Sequence, residues 1–218
     1  MRVRRAAGVV VAVAASLVGA ACSSSAKSTT PPAATSTTAP SPAIVWPAPA
    51  DPMARARLAG LVPEPAEQLQ YHVHAHLDVY IDGASVTVPA GLGIDITNPG
   101  VHTFTSGDQT SYGGIVPPCD QPCISPLHTH DATGIIHTES ATRKNNTLGE
   151  LFIEWDVHLD ANCVATYCKP AKAVAVYVNG TAFTGDPRTI PLSNFKEIAI
   201  VIGTPPAQIP STADWNQI

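Results

Sequence analysis

Apart from its initiator, the chain contains a single methionine, Met53, in 218 residues. That scarcity excludes a thioether-rich Cu(I) carrier, which would hold its ion through several soft methionine ligands. Charge is also sparse: 12 basic side chains stand against 17 acidic ones, for a net charge of −5. No cluster of Lys and Arg exists to neutralise phosphates, so nucleic acid is excluded as a partner. After residue 21 no run is apolar and long enough to cross a bilayer. Nucleophile elbow, HExxH helix and phosphate loop are missing too, which counts against the enzyme classes that carry them.

The first 21 residues read as an export signal. Arg2, Arg4 and Arg5 form a basic start, and Ala6 to Ala20 form a short apolar stretch ending in small residues before Cys22. A cysteine directly after Gly19-Ala20-Ala21 resembles a bacterial lipobox, in which that thiol is lipidated and becomes the new N-terminus. Leucine is commonest where Gly19 stands, so simple secretion with cleavage nearby is the alternative. Removal of residues 1–21 strips the three arginines and moves the formal charge from −5 to −8. The expected location is the outer face of the cell membrane, with the lipid as the one membrane contact and no protein partner legible.

Residues 22–66 read as a tether carrying one short helix. Its first part, to Ala50, is dominated by Ser, Thr, Pro and Ala, too little apolar surface to offset the entropy of ordering. As a flexible coil it would span about 30 Å. Asp51-Pro52 is a helix start and Gly60 a stop. Residues 67–218 read as a single domain whose ordered part begins near Tyr71.

With Cys22 set aside, four cysteines remain: Cys119, Cys123, Cys163 and Cys168. Outside the cytoplasm an even, closely spaced set reads as two disulfides, with three pairings open. The local pairing closes two short loops, each worth about 2 kcal/mol on the loop-entropy account. A competing reading joins Cys119 and Cys123 with His128 and His130 as a Cys2His2 zinc site.

The domain reads as α+β and mostly β, built from antiparallel hairpins with one short amphipathic helix. From Tyr71 to Gly83 apolar and polar residues alternate, placing Val73, Ala75, Leu77, Val79 and Ile81 on one face. Asp82-Gly83 predicts a hairpin turn into Ala84–Val88. Further hairpins are predicted from Leu127–His130 into Ile135–Glu139, and across Asn179-Gly180. Thr147 and Glu150 make a capping box, and Leu148, Leu151, Phe152 and Trp155 follow helical spacing. Glu197–Ile202 reads as a closing apolar strand.

Histidine is what the sequence has in excess. Eight are present, and six fall in two short segments: His72, His74 and His76, then His128, His130 and His137. In a strand, residues i and i+2 point the same way with Cα atoms roughly 6.6–6.8 Å apart. Imidazoles so spaced can converge on one ion, with a third ligand from a neighbouring strand. A hydrogen-bonded histidine network and a solvated face are the alternatives. Asp131 and Glu139 are expected either as ligands or as acceptors that orient the imidazoles, with a turn role for Asp131 as the bland option. His158 is expected near a helix C-terminus and His102 in a loop. Imidazole ligation suits zinc or copper.

The stretches YHVHAHLDVYIDG, TVPAGLGI, PLHTHDATGIIHTES and TLGELFIEW together resemble a group of exported bacterial and archaeal proteins with HxHAHL and LHTHDxxGxIHxES signatures. The resemblance covers roughly residues 71–203 and implies one exported domain without implying a reaction. The expected function is extracytoplasmic binding of zinc or copper, to sequester or deliver the ion. A metal-dependent enzyme with a three-histidine site, and a structural or interaction domain, are the other readings.

Overall fold

The computed structural model describes residues 44–218; the expected export signal, Cys22 and the expected tether up to residue 43 lie outside them. The chain enters through β1 (Ile44–Val45) and α1 (Pro52–Leu58), then forms the long strand β2 (Tyr71–Ile81) and its return β3 (Ala84–Thr87). A separate hairpin follows, β4 (His102–Ser106) with β5 (Gln109–Gly113), before β6 (Leu127–His128) and β7 (Ile135–Ser140). Helix α2 (Leu148–Glu154) precedes a small ribbon, β8 (Cys163–Val164) with β9 (Tyr167–Cys168). Strands β10 (Val174–Val178), β11 (Thr181–Phe183) and β12 (Lys196–Ile202) complete the fold. It is α+β and mostly β, as the alternation predicts. Among the described residues no helix is long and apolar enough to cross a membrane.

The main sheet runs β1-β3-β2-β12-β10-β11, with β7 beside the first half of β2 and β6 beside β7. Its hairpins are antiparallel, but β2 and β12 pair in parallel, with Ile198 opposite Leu77 and Ile202 opposite Ile81. The sheet is therefore mixed. Turn chemistry accounts for two of the hairpins. Asp82 and Gly83 have φ of 50° and 82°, and Asn179 and Gly180 have φ of 49° and 75°. Positive φ at both central residues matches the right-handed twist of paired strands.

One face of the sheet carries the core. Leu77, Val79, Ile198, Ile200 and Ile202 pack with Leu148, Leu151, Phe152 and Trp155 in one buried cluster. Helix α2 starts with the capping box that the sequence predicts: the Thr147 hydroxyl accepts from Glu150 N, and the Glu150 carboxylate accepts from Thr147 N.

The fold begins earlier than Tyr71. Val45 pairs with Thr87, and Met53, Ala56 and Leu61 are buried. From residue 44 the segment expected as tether is thus part of the domain, because Ala56 and Leu61 enter the main core and Trp46 packs against it. Both disulfides form locally, Cys119–Cys123 and Cys163–Cys168. The first is buried in a second small cluster with Ile94, Val101, Ile115 and Ile124. Its thiols are thereby spent, so the Cys2His2 reading fails. His102 opens strand β4 instead of lying in a loop. His158 lies beyond the end of α2 and pairs with Asp160 at 2.9 Å.

Candidate metal centre

Three adjacent strands set the site. In β6, β7 and β2, His128 stands opposite His137 and His137 opposite His74. Side chains directly opposite one another share a face of the sheet. The register therefore lays three imidazoles in a row across three strands. One rung away, His72 stands opposite Glu139. His130, two residues after His128, folds back so that the two rings meet with centroids 4.7 Å apart.

Hydrogen bonds define the tautomers. His128 Nδ1 lies 2.8 Å from the Ser125 carbonyl, and His130 Nδ1 lies 2.6 Å from the Tyr112 carbonyl. A carbonyl oxygen only accepts, so each Nδ1 carries the hydrogen and each neutral ring keeps its lone pair at Nε2. Those two Nε2 atoms face each other at 3.3 Å. Two lone pairs so aimed repel unless a cation or a proton stands between them. Donors about 2.0–2.1 Å from a zinc ion sit ~3.3–3.4 Å apart at the corners of a tetrahedron. The observed separation matches that edge.

Glu139 closes the group. Its Oε1 lies 3.1 Å from His72 Nε2, 3.3 Å from His137 Nδ1, 3.8 Å from His128 Nε2 and 3.9 Å from His130 Nε2. The side chain is buried, and Oε2 makes no hydrogen bond. Ligand atoms of His128, His130, His137 and Glu139 all fall within 4.8 Å of one another, as do those of His72, His74 and His137. His137 belongs to both sets. His128 is fully buried at the floor, whereas His72 and His74 are the more exposed members, so solvent reaches the group from their side.

Electrostatics favour neutral imidazoles at His128, His74 and His137, beside one carboxylate. Burial, aided by the neighbouring His130 ring, pushes His128 down to about 3. Burial, with His137 and His72 nearby, pushes His74 down to about 4. His137 is lowered by burial and the surrounding imidazoles. Burial also opposes charge on His130, but the Glu139 carboxylate and the Tyr112 carbonyl outweigh it and raise this group. Burial opposes charge on Glu139, and the ring nitrogens of His130 and His137 overcome it, holding the carboxyl well below its ordinary range. The carboxylate is anionic and, of the two roles expected for it, stands where a ligand would.

Two expected members lie elsewhere. Asp131 accepts from the backbone N–H and hydroxyl of Thr133, the turn role, and touches none of the imidazoles. His76 turns toward β12, where its Nδ1 is 2.9 Å from Glu197 Oε2 and its Nε2 is 2.9 Å from the Thr133 carbonyl. Glu197 went unnoticed in the sequence, although a lone acid opening a run of five aliphatic residues was the available signal. The exposed trio His158, Asp160 and Cys163 holds no free thiol, since Cys163 is in a disulfide. Compared with known protein families, with curated proteins and with solved structures, the chain has no significant match.

Proposed function

We propose that the chain is an extracytoplasmic metal-binding protein that holds one zinc or copper ion among His128, His130, His137 and Glu139. His72 and His74 stand at the solvent side, where an ion enters and leaves. The observation that carries this reading is the 3.3 Å approach of His128 Nε2 to His130 Nε2 while both Nδ1 hydrogens are committed to carbonyls. Carbonyl acceptors of this kind orient metal-binding imidazoles and set their tautomer. Two disulfides fit a protein working outside the reducing cytoplasm. The graded exposure from His128 to His72 suits sequestration or hand-over of an ion to a partner at the cell surface. Lipidation at Cys22 would keep the domain there.

The test is thermal unfolding of the purified protein with Zn²⁺, with Cu²⁺ and with chelator. At a metal concentration a hundredfold above Kd, binding adds about 2.7 kcal/mol, roughly 5–10 °C in Tm for a chain of this size. In the double variant His74→Ala, His130→Ala the difference between metal and chelator should vanish. Equal Tm values for the wild-type protein under all three conditions would mean that the histidines form a purely internal network.

A further inference from the structure

The separation of His76 from the other histidines creates a second group of different chemistry. His76 and Glu197 are register partners on the parallel strands β2 and β12, and Asp78 follows two residues along the same face. His76 Nδ1 is 2.9 Å from Glu197 Oε2 and 3.8 Å from Asp78 Oδ2. The Thr133 carbonyl, 2.9 Å from Nε2, takes the hydrogen there. In the neutral ring that leaves the Nδ1 lone pair facing two carboxylates.

Glu197 is completely buried, and neither of its carboxylate oxygens makes a hydrogen bond; nor does His76 Nδ1. The 2.9 Å pair is close, but the oxygen lies off the axis along which a ring N–H would point. A simple imidazolium–carboxylate bond would align that axis. Ligands about 2.1 Å from a six-coordinate divalent ion lie about 3.0 Å apart along an octahedral edge, with each lone pair directed at the ion instead of at its neighbour. A buried carboxylate without a hydrogen bond is costly, and a coordinated cation removes that cost.

We infer that His76, Asp78 and Glu197 form a second divalent-cation site, distinct from the histidine cluster and selective for a harder ion. One imidazole with two carboxylates suits Mn²⁺ or a similar oxygen-preferring divalent ion, whereas the neighbouring cluster, rich in imidazole, favours zinc or copper. The two carboxylates and the register that unites them come from strands more than one hundred residues apart in sequence, so only the folded domain presents the site.

Mn²⁺ is the probe, because the paramagnetic signal of the free ion falls as it binds. The full-length secreted protein should take up one equivalent, and so should the His128→Ala, His130→Ala variant, in which the histidine cluster is disabled. Asp78→Asn, at a half-exposed position, and Glu197→Gln, close in shape to the original, should each weaken Mn²⁺ binding at least tenfold. Circular dichroism checks that both variants are folded. Wild-type protein that takes up no Mn²⁺ at millimolar concentration would overturn the inference, leaving a buried ion pair in its place. Equal Mn²⁺ affinity in wild type and folded Asp78→Asn would overturn it too. Loss of Mn²⁺ binding in the His128→Ala, His130→Ala variant would assign the ion to the first cluster instead. Failure of zinc binding at that cluster leaves these outcomes unaffected.

Discussion

At the scale of single residues, His130 is the proton competitor for the metal. Burial pushes His128 down to about 3, so it stays neutral in mildly acidic solution, and burial lowers His137 as well. His130 is raised above 6.5 despite its burial, because Glu139 and the Tyr112 carbonyl hold its charged form. The sign follows directly. As pH falls toward 6, one proton settles on His130, and an incoming ion must displace it, so metal affinity declines with falling pH. Among these three imidazoles, binding at pH 6 should release fewer protons per ion than the roughly two or more that three unperturbed imidazoles with a pKa near 6.5 would release. Calorimetric titration in buffers of different ionisation enthalpy counts those protons. A count near two would show that the buried imidazoles are not held neutral by their surroundings.

At the scale of elements, the site depends on β6 lying firmly beside β7, and the loop that holds β6 is tight. Gly93 has a φ of +75°, and a Cβ there would come within 2.4 Å of the Leu127 carbonyl oxygen and 3.1 Å of the His128 Cβ. Gly93→Ala must displace β6. We expect it to cost about 1–3 kcal/mol of stability and to weaken zinc binding roughly 10–100-fold, by misplacing His128. Denaturant unfolding and a zinc titration of the folded variant measure the two effects; unchanged affinity would show that His128 is not a ligand. The elements themselves were largely legible. Period-two alternation located β2, the Asp-Gly and Asn-Gly pairs located two turns, and the capping box located α2. Hairpin β4–β5 was missed because HTFTS and QTSYG are polar and mostly exposed, without an apolar face to betray a strand. Alternation also told which face His76 occupies but not which neighbour it meets. Strand β7 flanks His76 on one side and β12 on the other, and the buried Glu197 draws it to β12.

In the molecule as a whole, two disulfides that fit an extracytoplasmic protein brace a domain with a solvent-reached histidine cluster that could hold an ion. The parallel pairing of β2 with β12, the register on which the second group depends, was beyond sequence reasoning, since nothing local specifies a partner so distant. The early start of the domain was missed for a related reason. Trp46, Ala56 and Leu61 lie in a stretch without strand or long helical periodicity, and only the assembled core shows where they go. Lipidation makes its own prediction at this scale: Cys22→Ser should abolish incorporation of a labelled fatty acid and release the protein from the membrane fraction. Retention of label in that variant would move the anchor elsewhere.

X-ray absorption at the zinc edge of the zinc-loaded protein reads which atoms surround the ion. The expected result is about one zinc per chain in a shell of nitrogen and oxygen near 2.0–2.1 Å, with the outer scattering of three imidazoles and no sulfur. A shell of oxygen alone, or one containing sulfur near 2.3 Å, would contradict it.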